Sequence, residues 1–142
     1  MEHEAASAVA AHLEERGDEV VRCGAIAGGD TPWPAVAEEV ARLVAQGAVD
    51  IAVLCCWTGT GVSIAANKVP GVRAALCGDA ETARGAHRWN DANVLALGLL
   101  NATADSVLPI VDAWLATDDV DPEEQRNIDS VGELERRYGM RP

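Results

Sequence analysis

Residues 49–68 read VDIAVLCCWTGTGVSIAANK, and this stretch decides the fold. The continuous apolar run from Val49 to Cys56 is typical of a strand buried on both faces of a parallel sheet. A Thr-Gly-Thr-Gly turn follows, and a run of small residues with helical spacing begins directly after it. The stretch therefore predicts a strand, a tight turn and a helix in succession, which is the repeating unit of α/β proteins.

The rest of the chain repeats this alternation of short apolar runs and helical patterns. In the second helix, Thr31 is the predicted N-cap, Pro32 or Pro34 lies in the first turn and Gly47 is the stop. Short links between the units predict one doubly wound α/β domain over residues 1–142 with a mainly parallel sheet. Residues 118–142 are predicted to form an acidic C-terminal tail and helix. Beyond 49–56, strands are predicted at 18–24, 72–77 and 93–98, and helices at 4–16, 31–47, 79–89, 104–117 and 131–139.

Charge and hydropathy limit the partners of this protein. The 142 residues include 11 Lys and Arg against 23 Asp and Glu, a net charge of -12 that repels nucleic acid and acidic membrane surfaces. No run approaches the roughly 18 apolar residues of a membrane span. The acidic start lacks the basic and apolar regions of a signal peptide. We expect a cytoplasmic protein with neither nucleic acid nor membrane as a partner.

Four cysteines bear on the chemistry, and none of them forms a CxxC pair. They are Cys23, Cys55, Cys56 and Cys77. Vicinal cysteines are poor disulfide or zinc pairs, so we expect free thiols, no metal site and no cofactor. Cys55 and Cys56 should point to opposite faces of their strand, which predicts a structural role for Cys55.

Cys56 lies at the carboxyl end of a predicted strand, where ligands bind in doubly wound sheets. The turn after it is no phosphate loop: GxxxxGK[ST] is absent, and Ile64 breaks the GxGxxG pattern. Gly59 and Gly61 make backbone N–H groups approachable at a helix N-terminus, which would also raise the thiolate fraction of Cys56. This pattern predicts a base beside an oxyanion site. The alternative is that Cys56 is a small buried apolar residue, as free cysteines usually are.

Together with Cys56, the run GTGVSIAANKVPGVRAALCGDAETARGAHRWNDANVLALG at 59–98 resembles the ribose-5-phosphate isomerase B and galactose-6-phosphate isomerase family. The resemblance implies a Rossmann-like α/β/α sandwich and a homodimer or tetramer with sites at the subunit interface. It also implies aldose–ketose isomerisation of a sugar or sugar phosphate through a cis-enediol(ate), with no metal.

The resemblance further implies roles for individual residues. Cys56 matches the base that moves the proton between C1 and C2, Thr58 matches the hydroxyl associated with ring opening, and Asn90 matches a substrate-contacting Asn. The backbone of the turn matches the loop that holds the enediolate oxygen. The substrate-binding and oxyanion residues predicted in this way are Trp57, Gly59, Thr60, Gly61, Val62, Ser63, Trp89 and Asn90.

The chain departs from the family pattern at five positions. Trp57 stands where the family has Gly after the catalytic Cys, and Trp89 stands where it has His before Asn-Asp. Leu100, Glu123 and Asn127 correspond to family arginines that bind phosphate, although Arg126 would recover one of them if the alignment shifts by a residue. Since bidentate Arg is the usual ligand of a phosphate monoester, these departures favour a substrate without phosphate.

The tryptophans and His87 need an assignment. Trp33 and Trp114 lie on helical patterns and are predicted to be core residues. His87, two positions before Trp89, would point about 200° away from it on a helix and is a poor substitute for the family His. For Trp57 and Trp89, pocket lining and plain packing are equally well supported.

The start of the chain affects which strands we expect in the sheet. Met1 aligns just after the first strand of the family and its Asp-His pair, so we expect that strand and pair to be missing from the sequence as given. A non-catalytic or partner-dependent subunit, or a sugar-binding member of the same family, stays open as the alternative to an isomerase.

Overall fold

The computed structural model describes residues 3–117 and 119–139. Within these residues the chain forms three strands and six α-helices. The strands are β1 (Ala52–Cys56), β2 (Ala74–Leu76) and β3 (Val94–Gly98). The helices are α1 (Glu4–Glu15), α2 (Trp33–Ala45), α3 (Thr60–Ala66), α4 (Ala80–Asn90), α5 (Ala104–Leu115) and α6 (Gln125–Tyr138), with 3₁₀ turns at Gly24–Ala27 and Pro122–Glu124.

The three strands are parallel and lie in the order β1-β3-β2. Ala52 of β1 and Ala74 of β2 both lie opposite Val94, and Cys56 lies opposite Gly98. β3 is the central strand, and its side chains from Val94 to Leu97 are buried. The carboxyl ends of β1 and β3 therefore meet at one edge of the sheet, where ligands bind in folds of this class.

Helices cover both faces of the sheet. Helices α1, α4 and α5 pack against one face around Leu95, Leu97 and Trp114. Helices α2 and α3 pack against the other face around Leu54 and Ala96. The predicted three-layer α/β/α sandwich with a parallel sheet is confirmed.

Helix α2 begins two residues later than predicted. It starts at Trp33, with Pro32 as its N-cap and Pro34 in the first turn, and no side chain caps it. The predicted N-cap role of Thr31 is therefore wrong. The amides of a first helical turn have no intrahelical acceptor. Pro32 and Pro34, which have no N–H, therefore remove no hydrogen bond from the helix.

The predicted strand at 18–24 is also wrong. Residues 18–23 carry no regular structure, and the 3₁₀ turn follows them. A strand needs a neighbour for its backbone groups, and β1 has a strand neighbour only on its β3 side within the described residues. For the same reason β1 is not buried on both faces as predicted: Leu54 is buried, and the other four residues of β1 are half-buried.

The C-terminal helix is longer than predicted. Helix α6 begins at Gln125, and the Glu135 carboxylate accepts a hydrogen bond from the Gly71 N–H at 2.8 Å. Within the predicted tail, residues 118 and 140–142 lie outside the described residues. In the part of the chain that is described, no helix is long and apolar enough to cross a membrane.

Candidate active site

The turn after β1 places a backbone amide on the Cys56 thiol. The Gly59 N–H donates to Cys56 Sγ at 3.1 Å. Gly59 has φ +79°, and a Cβ there would meet Leu76 and lie 3.0 Å from the Gly98 nitrogen. Only glycine fits this conformation and space. This contact places a backbone N–H donor directly on the Cys56 sulfur.

The end of β3 fixes the position of this turn. The Leu99 N–H donates to the carbonyls of Cys56 and Trp57 at 2.9 and 3.0 Å, and the Leu100 N–H donates to Trp57 at 2.9 Å. A Cβ on Gly98 would lie 2.7 Å from the Thr58 carbonyl oxygen. The two chain segments are in direct backbone contact, so the predicted site is built on the two longest strands of the sheet rather than on a free loop.

Hydroxyl groups and a helix N-terminus lie in the turn that follows Cys56. Thr58 Oγ1 and Thr60 Oγ1 lie 2.7 Å apart, and both residues are exposed. Helix α3 begins at Thr60, and the N–H groups of a first helical turn have no intrahelical acceptor. Val62 is buried, so only its backbone can serve the site. The Ser63 N–H donates to the Gly59 carbonyl at 3.2 Å and is thereby occupied.

Two tryptophans border the turn. Trp57 is 50% exposed, and Trp33 is 54% exposed, with its ring 3.1 Å from the position of a Cβ on Gly61. The prediction that Trp33 is a core residue is wrong, whereas Trp114 is a core residue at 1% exposure. Sequence reasoning could have found Trp33, because helices of α/β units begin at the carboxyl edge of the sheet and Pro32 and Pro34 mark that beginning.

The other thiols are held in the protonated form. Burial raises the pKa of Cys55 to about 12, and the neighbouring Cys56 adds to the effect. Burial also raises the pKa of Cys77 to about 11, with a smaller contribution from Asp79. Cys55 packs against the α1, α4 and α5 core and Cys56 against the α2 and α3 core, so the two thiols lie on opposite faces.

Trp89 and Asn90 lie at the other end of the sheet. Both line a cavity of about 620 Å³ between the end of α3, the start of β2 and α6. The Asn93 carbonyl, three residues after Asn90, accepts from the N–H of Ala52, the first residue of β1. Five strand residues rise about 3.3 Å each, so the length of β1 separates this end from Cys56. One chain does not bring Asn90 to Cys56.

The cavity that borders Cys56 has mainly acidic charged residues in its lining. Cys56, Trp57 and Thr58 border a cavity of about 1190 Å³, whose charged lining residues are Asp18, Glu19, Asp50 and Arg22. The Arg22 guanidinium donates to Glu14 at 2.7 Å and is already paired. His87 stacks edge-on against the buried Trp114 with ring centroids 6.3 Å apart, so it does not replace the family His. The described residues contain no group of three or more side chains placed to hold a metal ion.

Comparison with known proteins identifies the family. A family model described as Ribose/Galactose Isomerase matches residues 2–131. The chain belongs to the ribose/galactose isomerase family. It is 40% identical over 129 residues to ribose-5-phosphate isomerase B of Escherichia coli (strain K12), covering 91% of this chain and 87% of that protein. It is 35% identical over 136 residues to the enzyme of the same name from Mycolicibacterium paratuberculosis, covering 94% and 86%.

Solved structures of this isomerase family share the fold. A ribose-5-phosphate isomerase B from Clostridium thermocellum superposes with a TM-score of 0.87 at 37% identity, covering 95% of this chain and 93% of that one. One from Mycoplasma genitalium with bound ribulose-5-phosphate gives a TM-score of 0.83 at 33% identity, covering 93% and 88%. The predicted family, fold and enzyme class, an isomerase similar to ribose-5-phosphate isomerase B, are confirmed.

The thiol environments predict an order of alkylation. At pH 8 the raised pKa values keep Cys55 and Cys77 as thiols, since each becomes a thiolate only as the pH rises toward about 12 and about 11. We expect iodoacetamide to modify Cys56 first, as measured by tandem mass spectrometry of the peptide that carries Cys55 and Cys56. The matched control is a Cys56→Ser variant, in which Cys55 should still resist alkylation. Modification of Cys55 ahead of Cys56 would contradict this description of the site.

Proposed function

We propose that this isomerase interconverts an aldose and a ketose through a cis-enediol(ate), with Cys56 as the base. The observation that carries the proposal is the Gly59 N–H on Cys56 Sγ at the carboxyl end of β1. In the aldose direction, the thiolate removes the proton from C2. The C–H electron pair forms the C1–C2 double bond, and the carbonyl oxygen becomes an oxyanion. Transfer of the C2 hydroxyl proton to the C1 oxygen, with return of the abstracted proton to C1, converts C2 into the carbonyl and gives the ketose.

The charge that develops on oxygen needs fixed donors. The amides of Thr60, Gly61 and Val62 lie in the first turn of α3, directly after Gly59, and have no helical acceptors. Donors that are already in place lower the barrier without reorganising during the reaction. In this proposal Thr58, whose hydroxyl is exposed next to that of Thr60, acts in opening the sugar ring.

We propose further that a second copy of the chain completes the site, as a homodimer or within a tetramer. Asn90 and Trp89 lie one strand length from the Cys56 of their own chain, so they can serve a Cys56 site only on another copy. Trp89, Val131 and Leu134 line the cavity at that end and are 48%, 52% and 49% exposed. Large exposed apolar groups next to a site residue suit an interface between copies.

The substrate is a small aldose or ketose, free or phosphorylated. The relatives carry the name ribose-5-phosphate isomerase B, which makes ribose 5-phosphate the first compound to test. Leu100, Glu123 and Asn127, which stand where the family has phosphate-binding arginines, instead favour a sugar without phosphate. A panel of aldoses and ketoses with and without terminal phosphate decides between them.

Replacing the base predicts a loss of proton exchange. We expect Cys56→Ala to lower deuterium incorporation at C1 or C2 in D2O by about 10² to 10⁴-fold, the usual contribution of a general base. Proton NMR with the sugar panel measures this rate, and circular dichroism checks the fold. Cys55→Ala is the matched control and keeps most of the activity, because that thiol faces the opposite core.

Two results would count against the catalytic proposal. If Cys56→Ala exchanges deuterium as fast as the parent, Cys56 is not the base. If the parent protein shows no exchange with any sugar, a non-catalytic subunit that depends on a different partner becomes the better description. Neither result bears on whether a second copy completes the site.

A site shared between two copies predicts complementation. In a mixture of Cys56→Ala and Asn90→Ala chains, half of the dimers carry one chain of each kind, and each mixed dimer has one intact site. We expect equal amounts, unfolded and refolded together, to recover about a quarter of the parent activity. Two Cys56→Ala samples treated in the same way serve as the control. No recovery, with mixed dimers verified by mass spectrometry, would show that Cys56 and Asn90 do not act across the interface.

A further inference from the structure

We propose that Arg73 is a positioning residue of this isomerase, which acts through Asp91 to fix the turn at residues 90–92 that carries Asn90. The inference rests on the proposed function, in which Asn90 contacts a sugar at the Cys56 of another copy. Arg73 directly precedes β2 and so lies at the same amino end of the sheet as Asn90.

The turn at residues 90–92 has an unfavourable backbone conformation. Asp91 ends helix α4 with φ +50° and ψ +44°, and among the described residues it is the one non-glycine residue with positive φ. Its N–H donates to the His87 carbonyl, and the Ala92 N–H donates to the Ala86 carbonyl, both at 3.1 Å. Such a left-handed residue persists only where the surrounding contacts hold it.

The side chain of Asn90 depends on this turn for its position. It is exposed, and its amide group forms no hydrogen bond within residues 3–117 and 119–139. The backbone therefore sets where the amide points, and Asp91 is the residue at which the chain leaves the helix. A misplacement of about 1 Å in a group that orients substrate can lower a rate by about 100-fold.

The Arg73 guanidinium holds both the backbone and the side chain of Asp91. Its Nε–H donates to the Asp91 carbonyl at 2.6 Å, and its Nη2 donates to the Asp91 carboxylate at 3.2 Å. Its Nη1 donates to the Gly71 carbonyl at 3.5 Å, so each of the three nitrogens has an acceptor in its own chain. Because a planar guanidinium with two bonds to one residue fixes the orientation of that residue, Arg73 acts through Asp91 rather than as a substrate ligand.

Two asparagine side chains hold Arg73 itself in place. Asn93 Oδ1 accepts from the Arg73 N–H at 2.8 Å, and Asn93 Nδ2 donates to the Gly71 carbonyl at 2.9 Å. The side-chain amide of Asn67 bonds both backbone groups of Ala74, the next residue, at 2.8 and 2.9 Å. The start of β2 is thus clamped between the end of α3 and the start of β3, which gives the guanidinium a rigid base.

A purely structural role for Arg73 predicts a different result from a positioning role. The Arg73 and Asp91 side chains are 31% and 44% exposed, and ion pairs this exposed add little to stability. Arg73→Met should therefore keep the thermal midpoint of the parent while it releases the turn. The matched control is Arg84→Met, which breaks an exposed ion pair with Glu81 on the same helix, about two turns before Asp91.

Hydrogen exchange without substrate measures the hold on the turn. In Arg73→Met we expect the amides of Asp91 and Ala92 to exchange about 10-fold faster than in the parent, as in a locally opened segment. The amides of β3 in the same variant, and those of Asp91 and Ala92 in Arg84→Met, should keep the parent rates. Unchanged exchange at Asp91 and Ala92 in Arg73→Met would overturn the proposal.

Deuterium incorporation into the sugar that the parent exchanges measures the effect on Asn90. We expect Arg73→Met to lower kcat/KM by about 10 to 100-fold. In an Asn90→Ala background it should have no further effect, because residues that act through one contact are not additive. Asp91→Asn should rescue most of the activity that Asp91→Ala loses, since Asn tolerates the left-handed conformation and its Oδ1 accepts from Arg73.

Two kinetic results would contradict the positioning role. An unchanged kcat/KM in Arg73→Met means that the turn does not position Asn90, and an equal loss with and without Asn90 means that Arg73 acts independently of it. Failure of the proposed function looks different: a parent that exchanges no sugar is recognised before any Arg73 variant is made. Hydrogen exchange, which needs no substrate, then still supports or overturns the hold of Arg73 on the turn.

Discussion

The site depends on the backbone contact between the turn after β1 and the end of β3. Gly98 lets the Thr58 carbonyl approach to a distance that any side chain would block, and Leu99 holds the carbonyls of Cys56 and Trp57. With the turn held there, the Gly59 amide meets the Cys56 thiol. The geometry of the candidate site is thus fixed by two strands of a parallel sheet, which are more rigid supports than loops.

The same sheet that fixes Cys56 keeps Asn90 away from it. Helices of α/β units run back from the carboxyl edge, so the end of α4 lies at the amino edge, one strand length from the turn. A site that uses both residues must be built from two chains. In the proposed dimer or tetramer, the exposed side chains of Trp89 and Leu134 lie at the interface between copies.

The sequence predicted those features that depend on local pattern. β3 and the turn after β1 follow from apolar runs and glycine spacing, and the family follows from Cys56 with residues 59–98. The strand at 18–24 failed because strand formation depends on a neighbour that the segment itself does not encode. Trp33 was misplaced because helical spacing does not say which end of a helix reaches the site. The distance between Asn90 and Cys56 required the topology.

A crystal structure with the sugar that exchanges deuterium tests the central claim most directly. We expect C1 or C2 of the sugar to lie within about 3.5 Å of Cys56 Sγ, the reach of a group poised for reaction. We also expect its carbonyl oxygen to accept from the amides of Gly61 and Val62, and a sugar hydroxyl to contact Asn90 of the partner subunit. A sugar bound with C1 and C2 away from Cys56, or held entirely by one chain, would contradict it.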